Sequence, residues 1–215
     1  MKIDQRMNTN LVTTNLEMSI QDAADLMESS KVHCLPVLDD EWHLVGIISD
    51  RDILRALPSP LTSLSIYETK SLMANLTVSK IIRKDPITVQ RNVTIEQAAK
   101  IMVEKDVQWL PVLDGSKLVG IVSRTDMIKT LLEVFGTTTQ GCTINFTLEE
   151  GKGKLEKIIK DITSQGFNII AVSVFSGSSA NTKELRIKVS DGELSKLKET
   201  VKPYAIKVLD TSSDY

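Results

Sequence analysis

The residues from Thr13 to Asp39 return, 75 places later, from Thr88 to Asp114. Ile20, Ala23, Ala24 and Met27 fall on Ile95, Ala98, Ala99 and Met102. Leu35-Pro36-Val37-Leu38-Asp39 falls on Leu110-Pro111-Val112-Leu113-Asp114. One residue is lost in the following turn. Leu44-Val45-Gly46-Ile47 then falls on Leu118-Val119-Gly120-Ile121, and Ser49 and Asp52 fall on Ser123 and Asp126. A match of this length and order marks a duplicated unit of about 55 residues. Duplication constrains the fold more than any local signal, because both copies must adopt one architecture. A unit this small buries too little surface alone, so the copies are expected to pack against each other.

Each copy reads as β-α-β-β-α. Ile20, Ala23, Ala24 and Met27 have the i, i+3, i+4, i+7 spacing of one helix face, with Ser19 and Thr94 at the N-cap positions. Two short apolar runs follow, joined by Asp39-Asp40-Glu41 or Asp114-Gly115-Ser116, which reads as a hairpin. Ser49-Asp50-Arg51-Asp52 and Ser123-Arg124-Thr125-Asp126 each open a second helix, and a short strand at Val12-Thr13 or Ile87-Thr88 precedes each copy.

The pattern Leu-Pro-Val-h-Asp, then Val-Gly-Ile-h-Ser-x-x-Asp, where h is apolar, resembles the CBS domain. Two copies in tandem resemble a CBS pair, or Bateman module, over about residues 1–135. The boundaries expected are 1–60 for the first unit, 61–77 for a helical linker and 78–135 for the second unit. Within the linker region, Pro58 to Ser63 reads as loop and Ile66 to Leu76 as helix, with Thr77 capping a short helix at Val78 to Ile82.

A polar linker, residues 136–141, leads to a different third of the chain. Ile144, Phe146 and Leu148 alternate as a strand; Leu155, Ile158, Ile159 and Ile162 have helical spacing, ended by Gly166. A strand at Ile169 to Phe175, alternation at Leu185, Ile187 and Val189, a helix at Leu194, Leu197 and Val201, and a strand at Ala205 to Leu209 complete a β-α-β-β-α-β order, the ferredoxin-like split βαβ. The fold class expected is therefore α+β. Glu150, Gly153 and Leu155, then Gly166-Phe167-Asn168-Ile169, resemble the ACT domain over residues 142–212. Glu150 and Lys152 stand where that family usually has Asp and Pro. The resemblance implies an effector site, commonly for an amino acid, involving Glu150, Gly153 and Asn168. A CBS pair followed by an ACT domain resembles the acetoin utilisation protein B type.

Composition excludes several classes. Net charge is −2 and aromatics are 4%, which argues against a nucleic-acid partner. Apolar stretches are too short to cross a membrane. Met1-Lys2-Ile3-Asp4-Gln5-Arg6 lacks the apolar core of a secretory signal, so the expected location is the cytoplasm, with Cys34 and Cys142 reduced. His33 and His43 form no metal-ligand set with the cysteines, and no nucleophile–base pair or Gly-rich phosphate loop is present, so no enzyme is expected.

Two readings of Ser-x-x-Asp stay open. Such a tetrapeptide before an apolar run is a capping box. At a strand-to-helix turn it is also an anion site, since helix N-terminal N–H groups attract phosphate and an aspartate accepts from ribose hydroxyls. The resemblance implies the second reading, with an adenine nucleotide (AMP, ADP or ATP) as regulatory ligand. Carried over by position, one site uses Thr13, His33, Ser49, Arg51 and Asp52; the other uses Thr88, Gln108, Ser123, Arg124 and Asp126. Arg124 makes the second the better site for phosphate. The expected function is a non-catalytic sensor, homodimeric, acting in trans on a partner enzyme. The alternative is a ligand-free structural module that scaffolds or inhibits such a partner.

Overall fold

The structure, a computed structural model, describes residues 1–56, 73–190 and 192–214. The expected loop at Pro58 to Ser63 and most of the expected helix from Ile66 lie outside them; residues 73–75 are helical. The chain divides into two units, Met1–Met127 and Ile128–Tyr215.

The first unit contains both repeats. Copy one comprises β1 (Thr14–Asn15), α1 (Ile20–Ser30), β2 (Cys34–Leu38), β3 (Leu44–Ser49) and α2 (Asp50–Ala56). After β4 (Arg83–Lys84), copy two comprises β5 (Val89–Gln90), α3 (Ile95–Glu104), β6 (Trp109–Asp114), β7 (Lys117–Ser123) and α4 (Arg124–Val134), whose last turns fall in the second unit. Both N-caps form: Ser19 Oγ accepts from Asp22 N, and Thr94 makes a reciprocal capping box with Gln97. The opening strands start two residues later than the apolar pattern suggests. Parallel pairing selects them, Thr14 against Val37 and Val89 against Val112. Thr13 and Thr88 thus precede the strands.

Equivalence extends to register. Cys34 pairs with Ser49 as Trp109 pairs with Ser123, and a bulge interrupts each hairpin at the same place, Val37/Leu38 and Val112/Leu113. Lys31 and Asp106, one after each first helix, both adopt left-handed φ, 55° and 49°. His43 and Lys117, also equivalent, bridge each other, so a local two-fold axis passes between the hairpins.

The copies exchange their leading segments. Ile3, in a 3-10 turn (Ile3–Gln5), is fully buried in copy two with Val89, Ala98, Met102 and Leu110. Val78, in the equivalent turn (Val78–Lys80), is fully buried in copy one with Ile20, Ala23, Met27 and Leu35. Backbone bonds repeat the exchange: Ile95 N to Met1 O (3.0 Å), and Ile20 N to Leu76 O (2.8 Å). The short helix expected from Val78 to Ile82 is only this 3-10 turn. Thr77 makes no cap to its backbone, because its hydroxyl bonds Ser79 Oγ at 2.7 Å.

The second unit runs β8 (Cys142–Glu149), α5 (Lys154–Ser164), β9 (Asn168–Ser176), β10 (Thr182–Ser190), α6 (Leu194–Val201) and β11 (Lys207–Ser213). The sheet order is β11-β8-β10-β9, antiparallel throughout, which is the split βαβ arrangement. The fold class is α+β. Ile144, Phe146, Ile158, Ile162, Leu185 and Ile187 form its core. Gly166 follows α5 at φ 87°, as a C-terminal glycine should. The last strand starts two residues later than the apolar run and continues to Ser213, because pairing with β8 defines it and Val208 and Leu209 stay partly exposed.

Candidate ligand-binding cleft

Both Ser-x-x-Asp turns close on themselves. Asp52 Oδ2 accepts from Ser49 N (2.9 Å) and Ser49 Oγ (2.6 Å); Asp126 Oδ2 accepts from Ser123 N and Oγ at the same distances. The capping reading is thus realised in each copy. Ser49, at the end of β3, is fully buried.

What lies over the first turn distinguishes it. β4 runs antiparallel to β3, with Arg83 opposite Ile47. The Arg83 guanidinium meets Asp52 Oδ2 through Nε (3.1 Å) and Nη2 (3.0 Å), and Ser49 Oγ through Nη2 (3.3 Å). In copy two the same backbone position, opposite Ile121, is held by Asn8. Its amide oxygen accepts from Asn10 N at 2.9 Å.

A recess of about 270 Å³ opens beside Ser49 and Asp52. Arg51, Arg55 and Arg83 line it together with Asp106, Gln108, Trp109 and Arg124 of copy two. Among the described residues four guanidinium groups therefore face two carboxylates, an excess of positive charge suited to phosphate. The division of site residues by repeat needs correcting here. Gln108 and Arg124, expected with Ser123, line the recess of Ser49. Arg124 does not extend freely either: it donates to Val107 O (2.9 Å) and Met102 O (3.2 Å) and pairs with Asp106 at 2.7 Å. Carbonyls at the negative end of α3 attract it there. His33, expected in the first site, does not line this recess and bonds Asp50 Oδ2 through Nδ1 at 3.0 Å. Thr13 lines a separate recess, with Asn15, Leu38, Asp39 and Trp42. Thr88 is half-buried just before β5.

Cys34 lies opposite Ser49 and is buried. Burial pushes its thiol up to about 12; Arg83 opposes this and Asp52 and Asp50 add to it. Sequence reasoning missed Arg55 and Arg83. The signal for Arg83 was the repeat itself, read further upstream: Ile3 falls on Val78, Met7 on Ile82 and Asn8 on Arg83.

In the second unit, the turn after β8 holds Glu150, paired with Lys183 at 3.5 Å, and Gly153, whose φ of 76° suits glycine. Asn168 bonds Ser190 Oγ at 3.0 Å, at the opposite end of the sheet. An eight-residue strand separates these ends, roughly 23 Å. The structure therefore does not bring Asn168 together with Glu150 and Gly153 within one chain.

A hairpin-bearing pair related by a local two-fold, with Ser-x-x-Asp at each strand end, defines a tandem-repeat module of two equivalent β-α-β-β-α units. The CBS domain family model matches residues 2–59 and 78–133, more than half of the chain, and the chain belongs to that family as a tandem pair. A CBS domain-containing protein of Dictyostelium discoideum is 33% identical over 133 residues, covering 61% of this chain and 92% of that protein. The chloroplastic CBS domain-containing protein CBSX2 of Arabidopsis thaliana is 28% identical over 143 residues, and the match spans 58% of this chain and 60% of that protein's length. The solved complex of CBSX2 with AMP aligns at 30% identity with a TM-score of 0.53, covering 62% of this chain and 97% of that one. The acetoin utilization protein AcuB of Vibrio cholerae shares the fold at 24% identity and a TM-score of 0.53, over 64% of this chain and 95% of that one.

Proposed function

We propose that this chain is a non-catalytic regulator that binds an adenine nucleotide, of the AMP, ADP or ATP class, in the clefts of its CBS pair. It acts as a homodimer, in trans on a metabolic partner enzyme. The observation that carries this reading is the Ser49–Asp52 turn set in an arginine-lined recess, in a chain 30% identical to a protein solved with AMP. Asp52 and Asp126 accept from ribose hydroxyls, and Thr13 and Thr88 meet the base edge. In the first cleft a ribose competes with Arg83 for Asp52. A ligand bearing phosphate compensates by giving the guanidinium a new partner, so AMP outbinds adenosine there. The C-terminal unit serves as an effector or dimerisation module of the ACT kind, supported by its strand order and the glycines at 153 and 166.

Thermal shift with AMP, ADP, ATP and adenosine tests this. A ligand at 100 times its dissociation constant stabilises by about 2.7 kcal/mol. Asp52→Ala and Asp126→Ala should each reduce the shift, and Arg83→Asn should narrow the preference for AMP over adenosine. If no nucleotide raises Tm, and the purified protein releases no 260 nm absorbing compound on denaturation, the reading fails. The self-satisfied Ser-x-x-Asp turns favour a second reading, a ligand-free scaffolding module. It predicts a stable dimer by light scattering whose Tm no nucleotide changes.

A further inference from the structure

We propose that the second unit carries a separate site for a small oxyanion, a carboxylate or phosphate group, on the sheet face away from its core. The alternation of β8 and β10 defines that face. Ile144, Phe146, Ile187 and Val189 are core residues, so Thr143 and Lys188 point the other way. Register aligns them: Lys188 is opposite Thr143, and Thr143 is opposite Ser212, a polar row across three strands. A recess of about 260 Å³ opens on this row, bounded also by Thr138, Thr139, Gln140, Arg186 and Asp214.

The row is deeply buried for its chemistry. Lys188 is 3% exposed and Thr143 5%. Burying an ammonium costs free energy unless it is paired, and aliphatic residues would pack this face more favourably. Such departures from core chemistry concentrate at functional sites. Asp214 balances Lys188 at 2.6 Å. Arg186 donates one nitrogen to Phe135 O (3.0 Å) and lies 5.2 Å from the Phe135 ring centroid, and no carboxylate among the described residues pairs with it. The described residues thus give the recess one net positive charge, ringed by hydroxyls and an amide, which complements a singly charged oxyanion with several acceptor oxygens. The site shares no residue with the CBS clefts and stands independently of the nucleotide reading.

Titration of the ¹⁵N-labelled full chain with sodium phosphate and with sodium acetate, at constant ionic strength, tests the proposal. Amide shifts should saturate at Thr138, Thr139, Gln140, Thr143 and Lys188. The isosteric Thr143→Val and the charge-removing Arg186→Gln should each weaken the response tenfold or more while the remaining spectrum is unchanged. Lys188→Met is the stronger test where it folds; the other two decide where it does not. A response to one anion only supports the site and names the group. Shifts that fail to saturate, that arise elsewhere, or that survive both Thr143→Val and Arg186→Gln overturn it.

Discussion

Asp52 Oδ2 gathers the backbone and hydroxyl of Ser49 and two nitrogens of Arg83. That convergence explains both the buried hydroxyl of Ser49 and the environment of Cys34 beside it. With the Cys34 thiol raised from 9.0 to about 12, the folded state holds its proton more tightly than the unfolded chain. This contribution is complete below pH 9 and is lost as pH rises toward 12. Urea midpoints should therefore fall between pH 8 and pH 10.5, and by less in Cys34→Ala. A thiol reagent at pH 8 should label Cys34 only after unfolding. The Ser and Asp of each turn were legible from the repeat. Arg83 was not singled out, because nothing local in Ile82-Arg83-Lys84 announces that β3 will pair with it.

The hairpins show why Gly46 and Gly120 are glycines. A Cβ on Gly46 would come within 2.6 Å of Arg83 O, the backbone of β4. A Cβ on Gly120 would come within 2.7 Å of Met7 Cγ, a flexible side chain. Gly46→Ala should cost about 2–3 kcal/mol by displacing β4, and Gly120→Ala nearer ~1 kcal/mol. Denaturant unfolding would show the difference: Met7→Ala should relieve Gly120→Ala, whereas Ile82→Ala should leave most of the cost of Gly46→Ala, because removing the Ile82 atoms nearest the new Cβ leaves Arg83 O in place. Helices with their caps, and the hairpins, were readable from periodicity because those signals are local. Strand starts at Thr14, Val89 and Lys207 were not, since pairing with a distant strand defines them.

At the scale of the molecule, the exchange of Ile3 and Val78 makes each repeat complete the other's core. Ile3→Ala should leave a cavity in copy two and cost about 2–5 kcal/mol. One cooperative transition of the first unit should persist by fluorescence and far-UV dichroism, at a lower denaturant midpoint; separate melting of the two copies would contradict the exchange. The sequence alone determined the duplication, the two kinds of unit and the Ser-x-x-Asp turns, because repeats and periodicities are written along the chain. Only tertiary structure decided that copy two supplies Gln108 and Arg124 to the recess of copy one, that Arg83 rather than His33 lies over Asp52, and that a buried Lys188 lines one recess with the linker. Each depends on residues far apart in sequence, which backbone pairing and the local two-fold bring together and no local pattern encodes.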